Sequence, residues 1–133
     1  MDACGFSKTS RLLNAADYKA VFNNAQFKVS SRHFLVLAID NDRLNSRLGL
    51  VIAKKHVPLA VQRNRIKRLI RNAFRINSEL LPCLDLVVLA RKDADRLGNK
   101  QLTEAIVALW RELNMKRNRK ANSAQRVGNE HIR

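Results

Sequence analysis

The chain has 133 residues and carries 26 Lys and Arg against 11 Asp and Glu, a formal net charge of +15 and a pI near 11.1. That length suits one domain with one core, and 46% apolar residues suffice to build it. The charge draws polyanions, nucleic acid above all; a membrane is disfavoured, because no apolar run approaches the roughly 20 residues that span a bilayer and the basic stretches lack the aromatic anchors of an interfacial helix.

The first ten residues, MDACGFSKTS, have an acid at Asp2 and no apolar core, so they are expected to be a flexible leader and not a secretory signal. A helix is predicted over Asn14 to Asn24, with Asn14 as N-cap, Asp17 in its first turn and Tyr18, Val21 and Phe22 as an i, i+3, i+4 stripe. Three strands follow. Gln26 to Ser31 places Phe27 and Val29 on one face, and His33 to Ile39 holds the continuous apolar run FLVLAI of a strand covered on both sides. After a polar turn, Leu48 to Lys54 is the third.

Pro58 marks where the chain leaves that strand, and a helix is predicted from about Leu59–Val61 to near Leu80, stopped by Pro82. Leu84 to Ala90, rich in β-branched residues, is a fourth strand. Beyond a charged connection, a last helix runs from Asn99, read as its N-cap, to about Asn114, with Leu102, Ile106, Leu109 and Leu113 in register and Trp110 at the core or its edge. From Lys116 the tail has almost no apolar content and is expected to be disordered. The domain is thus expected over 11–115, flanked by a leader (1–10) and a basic tail (116–133).

The stretch Lys54 to Arg75 organises the rest. No Asp or Glu occurs between Asp42 and Glu79. At helical pitch, Ile66, Leu69, Ile70, Ala73 and Phe74 fall in an arc about 140° wide, and Asn64, Lys67, Arg68, Arg71 and Arg75 share an opposing arc of roughly 100°. A face that needed only solubility would include acids at i+4 to pair with these cations. Arg supplies a planar fork for phosphates and Asn adds a donor and an acceptor, so the pattern points to RNA or DNA binding.

Chemistry by the protein alone is disfavoured. Acid–base cleavage of a phosphodiester needs paired proton-transfer groups, yet His33, His56 and His131 sit on a strand start, a loop and the tail. Asp40 with Asp42 and Asp93 with Asp95 are close carboxylate pairs, but both lie in turn-like segments that favour Asp for its own sake. The four glycines are isolated, which excludes a phosphate-cradling loop. Cys4 and Cys83 match no metal spacing and fit a reducing cytoplasm.

Read in order, Lys54-Lys55, a seven-residue connection, then Arg63-Asn64-Arg65-Ile66-Lys67-Arg68 with Arg71 following resembles the protein subunit of bacterial ribonuclease P. Arg11-Leu12-Leu13, Asp17-Tyr18, Val21-Phe22, Arg47-Leu48-Gly49-Leu50, Asp85-Leu86-Val87-Val88 and Ala90-Arg91-Lys92 extend the resemblance from about Phe6 to Trp110. It implies an α+β sandwich of order αβββαβα on a four-stranded sheet, with a left-handed βαβ crossover where the general preference is right-handed. It also implies a cytoplasmic ribonucleoprotein whose catalyst is RNA. That RNA, one per protein, would bind Mg²⁺ and remove the 5′ leader of precursor tRNA, and the protein would bring no active site of its own. Lys54, Lys55, Arg63, Asn64, Arg65, Lys67, Arg68, Arg71 and Arg75 would then meet the catalytic RNA, and Tyr18, Phe22 and Phe34 would line a groove for the leader. Two positions depart from the family pattern: Tyr18, where many relatives carry Phe, and Leu37, where some carry an aromatic ring. A ribosomal or structural RNA-binding protein is the alternative reading, and a protein-only nuclease a third.

Overall fold

The computed structural model describes residues 15–41, 46–77 and 84–132, with side chains up to Arg119. The leader, Arg11-Leu12-Leu13, the N-cap at Asn14, the polar turn at 42–45, Cys4 and Cys83 lie outside the described residues. The order of elements is α1 (Ala15–Asn24), β1 (Phe27–Ser30), β2 (Phe34–Asp40), β3 (Arg47–Val51), α2 (Ala60–Ile76), β4 (Leu84–Ala90), a short 3-10 turn (Ala94–Arg96) and α3 (Asn99–Ile132). This is the expected αβββαβα order. The strands form one mixed sheet, β1-β2-β4-β3, in which β1–β2 and β2–β4 are antiparallel and β3–β4 parallel. Helix α2 is therefore the crossover between two adjacent parallel strands.

The sheet separates two cores of unequal size. Phe27, Val29, Phe34, Val36, Ala38, Leu48, Leu86 and Val88 pack beneath α2 and α3, which contribute Ile66, Ile70, Phe74, Leu102, Ile106 and Trp110. The Phe74 and Trp110 rings meet edge to face, with centroids 6.3 Å apart. On the other face Val21 of α1 packs against Val87, flanked by Tyr18, Leu37, Ile39, Val51 and Leu89. Central β4 is covered on both sides, which explains its unbroken apolar run.

Four boundaries differ from expectation. Strand β3 ends at Val51 and not Lys54, because its register on β4 runs out at Leu89. Helix α2 stops at Ile76, short of Leu80: Asn77 gives Ala73 O both its backbone N–H (3.0 Å) and its side-chain amide (2.8 Å), which closes the last turn. Asn99 is not the N-cap of α3. Leu102 N–H donates to Gly98 O, and Gln101 Oε1 reaches back to Gly98 N–H at 3.1 Å, the reciprocal half of a capping box built on Gly98. Finally, α3 does not end near Asn114 but continues to Ile132, so the 115/116 boundary falls inside a helix. Residues 116–132 contain no Pro, and eight of the seventeen are Lys, Arg, Ala or Gln, good helix formers. They extend a helix already nucleated by the core, so the tail expected to be disordered is helical.

Candidate nucleic-acid interface

Helix α2 sets out the basic surface. Its apolar arc is buried as expected at Ile66, Ile70, Ala73 and Phe74. Opposite, Asn64, Arg68 and Arg75 are exposed, and Lys67 and Arg71 are half-buried. Arg75 donates to its neighbour Asn72 at 2.7 Å. Lys67, Arg68 and Arg75 enter no ion pair among the described residues; the ion pairs present lie at Arg47, Arg96 and Arg117. No carboxylate among the described residues compensates their charge.

Arg63 and Arg65 are used differently. Arg63 Nη1 donates to Val57 O (3.0 Å) and Pro58 O (2.8 Å), fastening the preceding turn to the helix. Arg65 spreads its fork over Gln62 Oε1 (2.8 Å), Asn99 Oδ1 (2.7 Å), Asp95 O (3.2 Å) and Leu97 O (2.9 Å). Four of the five N–H donors of a guanidinium are thereby engaged. Arg65 is thus a clamp between α2 and the start of α3, a use within the fold that the motif did not reveal.

Lys54 and Lys55 are exposed at the tip of a turn. It is closed by His56 N–H (3.1 Å) and Val57 N–H (3.0 Å) to Ala53 O, with Val57 sunk in the core. The topology adds cations that separate sequence segments did not reveal. Parallel β3 and β4 end at the same edge of the sheet at which antiparallel β2 begins. Exposed Arg32, Arg91 and Lys92 consequently emerge at the same end as Lys54 and Lys55. Arg91 N–H donates to His33 O at 2.8 Å and its Nη1 to Ser31 O at 3.0 Å, which ties two of these turns together.

The second surface lies under α1. Side chains of β2 alternate between fully buried positions facing α2 and α3 and half-buried positions facing α1. Leu35, Leu37 and Ile39 belong to the second set. Phe34 belongs to the first: it is 0% exposed in the main core, so its expected role in a groove is corrected by strand parity. Phe22 does stand open, 43% exposed. Tyr18 packs its ring against the small core, and its hydroxyl accepts from Leu50 N–H at 3.3 Å on edge strand β3. Tyr18→Phe is expected to lower stability by about 1 kcal/mol, the net worth of one hydrogen bond. An unchanged urea midpoint would show that the hydroxyl does not hold α1 to that edge.

One charged cluster fixes α1 over the sheet. Arg47 makes a two-pronged pair with Asp85, Nε to Oδ1 at 2.9 Å and Nη2 to Oδ2 at 2.6 Å. Asn41 Nδ2 donates to Asp85 Oδ1 at 2.7 Å, and Asp17 of α1 approaches Arg47 Nη2 at 3.6 Å. The hydrogen bonds from Arg47 to Asp85 push the guanidinium pKa up from its ordinary value. Asp93 and Asp95 prove to be turn residues: Asp93 takes the left-handed conformation (φ 70°) ahead of the 3-10 turn, and the backbone carbonyl of Asp95 serves Arg65. Among the described residues no three His, Cys, Asp or Glu side chains gather to hold a metal, and no helix is long and apolar enough to cross a membrane.

Comparison with known proteins gives one consistent answer. The family model described as Ribonuclease P matches residues 6–114. The ribonuclease P protein component of Marinobacter nauticus is 44% identical over 129 residues, covering 97% of this chain and 96% of that one. Its counterpart in Pseudomonas aeruginosa is 46% identical over 123 residues, 92% of this chain and 91% of the relative. Among solved structures, the RNase P protein of Staphylococcus aureus superposes with a TM-score of 0.71 at 29% identity, over 77% of this chain and 93% of that one. The RNase P protein of Thermotoga maritima gives 0.68 at 30% identity, over 77% and 96%.

Proposed function

Because the chain belongs to the ribonuclease P protein family, we propose that it docks a catalytic RNA on the outer face of α2 and takes the precursor-tRNA leader on the opposite face of its sheet. As a protein component of ribonuclease P, it is part of an endoribonuclease ribonucleoprotein that acts in tRNA 5′-leader processing, with the RNA subunit as its partner. The assignment of surfaces rests chiefly on the basic arc of α2, in which Lys67, Arg68 and Arg75 carry charges that no described carboxylate neutralises.

Asn64, Lys67, Arg68, Arg71 and Arg75, with Lys54 and Lys55 beside the helix start, form the surface for the catalytic RNA, one RNA to each protein. Arg63 and Arg65 hold that surface in shape. Phe22 and the half-buried side chains of β2 form the floor and wall for the leader, the exposed ring offering a stacking platform for an unpaired base. Arg32, Arg91 and Lys92 lie at the end of the sheet that both surfaces share, where two phosphate backbones would otherwise repel each other. Mg²⁺ belongs to the RNA: Asp17 and Asp85 are directed at Arg47, and no step is assigned to a metal on the protein. The site of action is the cytoplasm.

Protein cations substitute for counterions that would otherwise screen the two RNAs. Adding the protein to its catalytic RNA should therefore lower the Mg²⁺ concentration needed for precursor cleavage. An unchanged Mg²⁺ requirement would overturn this reading and return the chain to a structural RNA-binding role.

A further inference from the structure

The helical extension of α3 has no part in either surface so far described. The periodic core residues of α3 end at Leu113. The family model ends at residue 114, and the Staphylococcus and Thermotoga structures each cover only 77% of this chain, whereas the Marinobacter relative covers 97%. The sequence from 116 onward contains Lys116, Arg117, Arg119, Lys120, Arg126 and Arg133 against one acid, Glu130. No leucine register continues there, so a partner helix is not what it fits. Lys116, Arg119 and Lys120 stand three and four residues apart, a spacing at which like charges weaken a helix. A polyanion alongside would relieve that repulsion.

The first turn of the extension fixes where it stands. Lys116 Nζ donates to Lys28 O at 2.6 Å, on the free edge of β1, and Arg117 Nε lies 3.8 Å from Asp40 Oδ1 at the end of β2. Arg119 is exposed beyond them. The register of β1 sets exposed Lys28 beside Leu37 and exposed Ser30 beside Leu35, in the rows that face α1. Helix α2 instead covers the β3–β4 side on the other face. The extension thus leaves the domain at the β1 border of the leader surface, and 116–132 adds about 25 Å of helix there at the usual rise.

We propose that the α3 extension is a second substrate contact: a cationic rail for the single-stranded part of the precursor-tRNA leader that passes over β1. This rests on the leader surface under α1. It adds affinity through phosphates, without base readout, and only for leaders long enough to cross the β1 edge.

The test uses the reconstituted holoenzyme and two precursor tRNAs, one with a leader that ends within the surface under α1 and one with a leader that continues past it. A chain ending at Arg119 keeps the Lys116 and Arg117 anchors, and Lys120→Gln with Arg126→Gln preserves the helix length. Both variants should lose up to about tenfold in affinity for the long-leader substrate, with a salt slope shallower by roughly 0.7 for each phosphate that is no longer neutralised. Affinity for the short-leader substrate and for the catalytic RNA alone should hold. Equal losses with both substrates together with weaker binding of the catalytic RNA would overturn the proposal and place the rail on that RNA; no loss with either would overturn it outright. Phe22→Ala separates the two levels. If it weakens substrate binding while the extension variants do not, the rail alone fails; if Phe22→Ala leaves binding of both substrates unchanged, the leader surface itself is wrong.

Discussion

Arg47→Ala is expected to destabilise the domain by roughly 3–5 kcal/mol, the usual cost of leaving one partner of a buried ion pair uncompensated. Arg47 and Asp85 are each only 11% exposed at the side chain, and the pair is two-pronged. Removing the guanidinium leaves the largely buried Asp85 carboxylate without its cationic partner, Asn41 Nδ2 still donating to Oδ1, and takes the cation away from Asp17 on α1. Arg47→Met combined with Asp85→Leu should recover most of the loss, because it removes the stranded charge along with its partner. Equilibrium urea unfolding of the single and double variants decides this; a single variant within about 0.5 kcal/mol of the parent would place the pair among ordinary surface contacts. The effect is independent of Arg47 titration. Its raised folded pKa means that the stability is fully present below its unfolded value and is lost only at still higher pH, outside any working range. Because the pair seats α1, leader affinity should fall with it.

Arg65 and Arg68 should separate cleanly despite lying three residues apart in one basic run. Arg65→Ala leaves Asn99 Oδ1 and the carbonyls of Asp95 and Leu97 without their donor, at an expected cost of about 3 kcal/mol. Arg65→Lys should restore little of it, since a point ammonium cannot span acceptors that a fork reaches together. The salt slope of RNA binding by the folded Arg65→Ala protein should equal that of the parent. Arg68→Ala should do the reverse: stability within about 0.5 kcal/mol, and a slope of log affinity against log salt lower by about one. A lower slope for Arg65→Ala would place that residue on the RNA surface as well.

The contrast within α2 shows how far the sequence carries. Helical pitch alone sorts Asn64, Lys67, Arg68, Arg71 and Arg75 into one arc and leaves Arg63 and Arg65 outside it, at about 60° and 260° from Ile66. Both of those arginines donate to backbone carbonyls of neighbouring segments. Motif resemblance groups all of them as RNA ligands; helical pitch separates from the rest the two that clamp neighbouring segments. The strands and their order were legible for the same kind of reason, since alternation and β-branched runs are local properties of the chain.

Other features needed the folded chain. In FLVLAI both faces are apolar, so nothing in the run says which parity meets α1; the pairing of β2 with β4 decided it and buried Phe34 on the side of α2 and α3. Arg32, Lys54-Lys55 and Arg91-Lys92 are separate turn cations in sequence, gathered only because two parallel strands end where an antiparallel one begins. The path of α3 past Leu113 was hidden because composition reports burial, and a helix already nucleated can continue without burying anything further. What the chain must attract, and which side of α2 would attract it, could be read from the residues alone, because charge and periodicity are additive along the chain. Which of these cations also serve the fold became visible only in the folded chain, because an N–H already donated to a neighbouring carbonyl is not offered to a phosphate at the same time.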